Sequence, residues 1–477
     1  MTPQAQLVMI LWLPIVLYLF IRFPAQRAVV ISFIVAWMFL PQRAGFSLPS
    51  LPDYERMSAT CYSILLATFI YDSQRFSTFK FGWIDVPMLI VCLCPFASSI
   101  SNGLGAYDGI SAVLGKIVSF GVPYFLGRIY LNNLAGLRQL AMGIFIGGLV
   151  YVPLCLYEAK FSPQLHLIVY GYHGIRQFGQ SIRLGGYRPN VFMQHGLSVG
   201  MWMMAASLIG IWLWQAGILK KFWNMPIIVL LGILIVTFVL VKSTGAYIYL
   251  GYGIIIMVSA KWFRTAFPLL LLIAIVLSYI YMGSTGNFSG EQADRIVVTA
   301  QNLAGPERSQ SLEFRLDNEE ILGEKARQRM ILGWGGWGRN RVYDEDTGED
   351  LTVTDSLWII SFGVNGIVGL FAVFGSSLLP AFSFFWLRYP ASTWFNPKVA
   401  PVAMLAVVTT LYALDCTLNN QPNPVFTLAS GGIAGVVLKE PENIKIKPGS
   451  KPTNSSHYIP KQRQIRRLTP RRVTRNL

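Results

Sequence analysis

Apolar residues along this chain fall into thirteen stretches long enough, or nearly so, to cross a membrane. They run over residues 7–21, 28–40, 59–72, 85–101, 108–127, 137–158, 195–217, 224–241, 246–260, 265–282, 356–387, 398–418 and 424–438. Several are shorter than the ~20 residues that a spanning helix needs, so the pattern predicts 12–14 transmembrane helices in an all-α polytopic membrane protein. Two long polar segments interrupt the pattern, at 159–194 and 283–354. The organisation expected is a transmembrane domain over 1–438 that carries both segments as loops, followed by a tail over 439–477. No period of 20 to 50 residues recurs, so neither a solenoid nor an inverted repeat is indicated.

Composition strengthens this reading. The 477 residues are 53% hydrophobic and only 13% charged, against about 25% charged in soluble domains. A net charge of +16 raises the question of nucleic acid, yet 11 of the 39 basic residues crowd into the last 39 positions beside an apolar body. Positive-inside topology accounts for that arrangement better than nucleic-acid binding does. With the basic tail placed in the cytoplasm, alternation puts Arg22, Arg27, Arg75, Lys80, Arg128, Arg138, Lys220, Lys221, Lys261, Arg264 and Arg388 inside as well. Both long polar loops then fall outside. The second of them holds 13 of the chain's 23 acidic residues against eight basic ones.

The five cysteines all lie in apolar stretches, and Cys92-Leu93-Cys94 has no matching second pair, so neither a disulfide framework nor a metal site is expected. The first apolar run lacks a basic leader and a small-residue cleavage site, which predicts a retained span rather than a cleaved signal. The tail is rich in Lys, Arg, Pro and Ser, and is expected to be disordered. Its cluster from Lys461 to Arg472 suits anionic lipid headgroups.

Candidate chemistry gathers where polar loops meet spans. The first loop ends Arg188-Pro189-Asn190-Val191-Phe192-Met193-Gln194-His195, directly before a span. Arg188 is there either a snorkelling interfacial residue or a fork for phosphate or carboxylate. His195, on the entry turn, reads as a structural histidine or a base. Lys242 and Ser243 stand at the outer end of the eighth span, where Lys242 is an interface anchor or a point charge for phosphate. In the large loop, Ser311 to Leu332 reads as a helix with Ser311 as N-cap, and Arg315 and Arg329 lie about 40° apart on its wheel. The run from Gly333 to Arg341 reads as a turn carrying Trp334 and Trp337 toward the membrane surface or a sugar face. Asp355, at the junction with the next span, is a general base or a helix N-cap. Lys116, inside the fifth span, is a costly intramembrane charge that is either functional or paired with an acid on a neighbouring helix.

The Arg-Pro-x-x-x-Phe-x-x-His loop end, the Ser-x-Gly at an outer helix end and the large external loop together resemble the bacterial O-antigen ligase and polymerase superfamily. That loop's Arg-bearing helix leads to a Gly-rich turn and then to Asp355-Ser356-Leu357, Phe362-Gly363 and Gly366-Ile367-Val368-Gly369-Leu370. The resemblance covers residues 180–385. It implies an inner-membrane, metal-independent, inverting glycosyltransferase of the C-type fold, with no cofactor. The donor implied is an oligosaccharide on undecaprenyl diphosphate, the acceptor a glycan or lipid, and a chain-length regulator a candidate partner.

On that resemblance Asp355, Arg188 and Arg315 are the catalytic candidates. Arg188, Lys242, Ser243, Arg315, Arg329, Trp334 and Trp337 are the candidates for binding diphosphate or glycan. Two positions depart from the family: Asp355 stands where the ligases typically carry His, and Ser243-Thr244-Gly245 where Ser-Arg-Gly is frequent. Both departures favour a polysaccharide polymerase or an uncharacterised relative over a strict ligase. A transporter or flippase of a glycan lipid or another anion is the alternative from a different class.

Overall fold

The computed structural model describes residues 1–49, 51–175, 178–287, 298, 301–302, 306–336 and 338–441. Trp337 and the basic tail from residue 442 onward, including the Lys461 to Arg472 cluster, lie outside the described residues. Every apolar stretch of the sequence forms a helix: α1 (Pro3–Arg22), α2 (Ala25–Phe39), α3 (Arg56–Tyr71), α4 (Trp83–Ser101), α5 (Ala106–Tyr130), α6 (Leu134–Phe161), α7 (Gly196–Gln215), α8 (Ile227–Leu240), α9 (Thr244–Phe263) and α10 (Phe267–Thr285). After α11 (Pro306–Arg327), which belongs to the large polar segment, come α12 (Leu357–Arg388), α13 (Ala400–Leu418) and α14 (Pro424–Val437).

Among the described residues, nine helices are long and apolar enough to cross a membrane. The helices α2, α3, α8 and α14 have 15, 16, 14 and 14 residues. At about 1.5 Å per residue they fall short of the ~30 Å hydrocarbon layer, which is why the count is lower than the number of apolar runs.

The chain is a multi-pass membrane protein, and its side chains sort accordingly. The most apolar 18 residues of α7 and of α13 are 89% buried, whereas those of α1 are 28% buried. The outer face of α1 presents Leu7, Ile10, Ile15, Tyr18 and Ile21, an apolar surface of the kind that lipid covers. Inside, the helices approach closely where they carry glycine. A Cβ on Gly127 of α5 would stand 2.2 Å from the Leu428 carbonyl oxygen of α14, and one on Gly431 2.0 Å from that of Tyr124. Small residues at such crossings let backbones touch where apolar burial alone gives no drive in lipid.

A buried ion pair fastens α4 to α5. Arg128 Nε and Nη2 donate to the two carboxylate oxygens of Asp85 at 2.7 and 3.0 Å, and the Tyr124 hydroxyl donates to the same carboxylate at 2.9 Å. Removing one member leaves the other charge buried without compensation, which costs about 3–5 kcal/mol. Asp85→Ala is therefore expected to lower the thermal unfolding midpoint in detergent by many degrees, and adding Arg128→Met is expected to restore much of it. An Asp85→Ala protein melting with wild type would show the pair to be dispensable.

Two helices are irregular, each next to a feature of interest. A π turn, Ile117–Gly121, follows Lys116 inside α5. The helix α12 breaks at Gly366, whose backbone sits at φ 64° and ψ −166°. The Gly-rich segment after α11 plugs into that break. Trp334 N–H donates to the Gly363 carbonyl at 2.9 Å, Gly335 N–H to that of Val364 at 3.0 Å, and Ile367 N–H to that of Met330 at 2.8 Å. From α4, Ser98 Oγ donates to the Val364 carbonyl at 2.7 Å and Asn102 Nδ2 to that of Gly333 at 2.8 Å.

Candidate functional site

The first polar loop is organised by a carboxylate at the end of α6. Glu158 accepts from the backbone N–H of Leu165 at 2.9 Å, of Asn190 at 2.8 Å and of Val191 at 2.7 Å. Those bonds fix the segment after Arg188, and a short hairpin, Ile182–Arg183 against Gly186–Tyr187, fixes the segment before it. The Arg188 side chain is buried and folds over Gly196 at the start of α7. Its Nη2 donates to Ser243 Oγ at 3.3 Å. Ser243 precedes α9, so the two candidates from separate loops meet at one end of the bundle. Lys242 takes a different direction: its Nζ donates to the Leu184 carbonyl at 3.4 Å and braces the hairpin tip.

His195 is the N-cap of α7. Its Nδ1 accepts from Leu197 N–H at 3.1 Å, leaving Nε2 to donate to Gln180 Oε1 at 3.0 Å. Burial lowers its pKa to about 4, helped by Arg188, Arg183 and Arg315. Both of its ring nitrogens are thus engaged, one by the first turn of α7 and one by the loop before it.

The helix α11 begins at Pro306, five residues before Ser311, so Ser311 is interior and does not cap it. The helix also ends earlier than the sequence pattern implied. It stops at Arg327 because residues 328–332 turn to dock on α12. Arg329 therefore leaves the helix and does not share a face with Arg315. It is exposed, with its guanidinium 5.0 Å from the Trp334 ring centroid. Trp334 itself donates from Nε1 to the Lys325 carbonyl at 2.7 Å and lies under the Lys325 ammonium at 4.2 Å. Its indole is engaged by its own loop and offers no open platform.

Arg315 is held at the bundle end by its neighbour one turn on. Glu319 accepts from Tyr279 Oη at 2.6 Å, Ser356 Oγ at 2.8 Å and Trp358 Nε1 at 2.9 Å, which ties α11 to α10 and α12. Burial pushes the Glu319 carboxyl above the ordinary range, and these three donors and Arg315 oppose the rise. The Arg315 guanidinium lies 4.0 Å from the Asp355 carboxylate. Asp355 caps no helix: Ser356 occupies the N-cap position of α12, and the Asp355 side chain is about half exposed, at 48%. It accepts no hydrogen bond from a described residue, so its oxygens are open to an incoming donor.

Asp415 completes the group from α13. It is buried, accepts from Asn419 Nδ2 at 2.8 Å, and stands in the electrostatic field of both Arg315 and Arg188. The same two arginines act on His195. Sequence reasoning passed over Asp415, although it is the one acidic residue in that apolar run. The rule that marks an intramembrane charge as functional by default, applied to Lys116, applies equally to Asp415. Glu158 carried the same signal.

Arg188, Ser243, Arg315 and Asp355 thus lie at one end of the bundle with His195, Glu319 and Asp415, while Lys242, Arg329 and Trp334 serve the loops around them. Among the described residues no group of three or more His, Cys, Asp or Glu could hold a metal ion. No family model matches the chain, and no curated protein matches it significantly.

Proposed function

We propose that the protein is a glycosyltransferase that joins an oligosaccharide carried on a polyprenyl diphosphate to a glycan or lipid acceptor at the outer face of the bacterial inner membrane. In this reading it is a relative of the O-antigen ligases and polymerases. The observation that supports the proposal is that two arginines from distant loops stand at the same end of the bundle: Arg188 donates to Ser243 Oγ at 3.3 Å, and Arg315 lies 4.0 Å from the Asp355 carboxylate.

The chemistry follows from the residue types. Guanidinium forks suit the non-bridging oxygens of a diphosphate, and charge grows on that diphosphate as it leaves. Asp355, exposed and unbonded, takes the proton of the acceptor hydroxyl. The oxygen then attacks the anomeric carbon on the face opposite the leaving group, the bond to the lipid diphosphate breaks, and the configuration inverts. Preorganised cations stabilise that departure most because they need not reorganise.

The test is the glycolipid that accumulates when the gene is removed and is complemented by variants. Arg188→Ala and Asp355→Asn are each expected to reach the membrane at normal levels, to leave surface glycan absent, and to accumulate lipid-linked oligosaccharide on the outer leaflet. Normal glycan from both variants overturns the proposal. Accumulation confined to the inner leaflet overturns it in favour of transport.

A further inference from the structure

A cavity of about 370 Å³ has neither Arg188 nor Arg315 in its lining. Its cations are Arg43, on the turn after α2, Arg56, which opens α3, and Lys116, which precedes the π turn of α5. Trp37 and Phe120 supply aromatic walls, and Leu357 an apolar one. The Arg56 guanidinium lies 4.3 Å from the Trp37 ring centroid and donates from Nη1 to the Trp37 carbonyl at 3.3 Å. The Lys116 ammonium is 5.4 Å from the Phe120 ring centroid.

None of the three cations forms an ion pair with a described carboxylate. Glu55 is the one acidic residue in the lining; it is the N-cap residue of α3, where its backbone N–H donates to Ser58 Oγ at 2.8 Å, and it forms no ion pair within 4 Å with any of the three cations. A lysine inside a span is costly unless an anion or a polar cavity meets it, and here a polar cavity meets it. The volume lies within the range of small-ligand sites, which are mostly apolar with a few convergent polar groups.

We propose that this cavity is a second anion site, built for a phosphate-bearing ligand. The phosphate lies among Arg43, Arg56 and Lys116, and the apolar part of the ligand lies against Trp37, Phe120 and Leu357. The site adjoins the arginine pair in sequence on two sides. Gln194, in its lining, directly precedes His195, and Leu357 follows Asp355 by two residues. A ligand here therefore steadies two segments that carry the candidate site, whatever reaction that site performs.

The phosphate can come from a membrane lipid or from solution, and hydrogen exchange separates the two. The full chain is placed in phosphatidylcholine nanodiscs, with phosphatidic acid added to the bilayer in one arm and inorganic pyrophosphate added to the buffer in the other. Amide exchange over residues 41–57 and 112–121 is expected to slow about tenfold in at least one arm. Slowing with phosphatidic acid alone assigns a lipid headgroup, and slowing with pyrophosphate alone a soluble ligand. Arg56→Ala and Lys116→Met are each expected to abolish the slowing, while Arg188→Ala retains it. Arg43→Ala, at an exposed turn, gives a variant that keeps the bundle intact should Arg56→Ala fail to fold. Unchanged exchange in both arms, or slowing that survives all three cavity variants, overturns the proposal. Either result is independent of the glycan assay.

Discussion

For the proposed transfer reaction, Arg315→Ala is expected to reduce the rate by about 100- to 1,000-fold, the usual consequence of removing one preorganised donor from a developing negative charge. The geometry makes the loss larger than that of an isolated cation. Arg315 faces Asp355 at 4.0 Å and acts on Glu319 and Asp415. Deleting it takes away a diphosphate partner and also leaves carboxylates that repel the leaving group. Arg315→Lys restores a charge but not the planar fork, and is expected to recover only a small part of the activity. The measurement is kcat/KM for transfer of a labelled oligosaccharide from its lipid diphosphate in proteoliposomes, with membrane incorporation checked for each variant. A variant within a few-fold of wild type would remove Arg315 from the site.

The helices were legible because a bilayer imposes one rule on all of them: a spanning segment must satisfy its backbone internally and show lipid an apolar face. Thirteen apolar stretches became thirteen helices for that reason. The rule is silent on length tolerance, so α2, α3, α8 and α14 read as spans although they are short. The polar loop was harder to read. Ser311 looks like an N-cap because Ser favours caps, yet α11 starts at Pro306. The glycines around Trp334 look like a surface turn, whereas they serve a close backbone approach to α12. Arg188, Arg315 and Asp355 could be named because each stands at a loop and span junction or on a polar helix. Asp415 and Glu158, within apolar runs, needed the same argument from cost that singled out Lys116. Which side chains would meet could not be read from spacing, since Lys242 and Ser243 are adjacent and turn to different partners.

Gly366→Ala is expected to detach the large loop from the bundle. Its φ of 64° and ψ of −166° lie in a region that is essentially reserved for glycine and costs other residues about 1–3 kcal/mol. Space is the stronger constraint. A Cβ there would stand 2.2 Å from the Ile331 carbonyl oxygen, 2.3 Å from its carbon and 2.6 Å from the Leu332 nitrogen. All three are backbone atoms, so no rotamer change relieves the clash and the docked segment must move away. Undocking forfeits the bonds that Trp334, Gly335 and Ile367 make across the break, together with those from Ser98 to the Leu332 carbonyl and from Asn102 to that of Gly333. At about 1 kcal/mol each, their sum is enough to shift the loop to an open state. Because Arg315 and Asp355 lie on either side of this docked turn, transfer is expected to fall with it, by at least about 100-fold. Limited proteolysis separates this outcome from global unfolding: cleavage between residues 306 and 354 is expected to accelerate sharply while the spanning helices stay protected. Gly251→Ala is the control, since a Cβ at that helical position meets nothing within 4 Å and helix propensity favours it. Wild-type cleavage rates in Gly366→Ala would mean that the loop is held by its side chains, with Glu319 as the anchor, and that the break in α12 serves some other purpose.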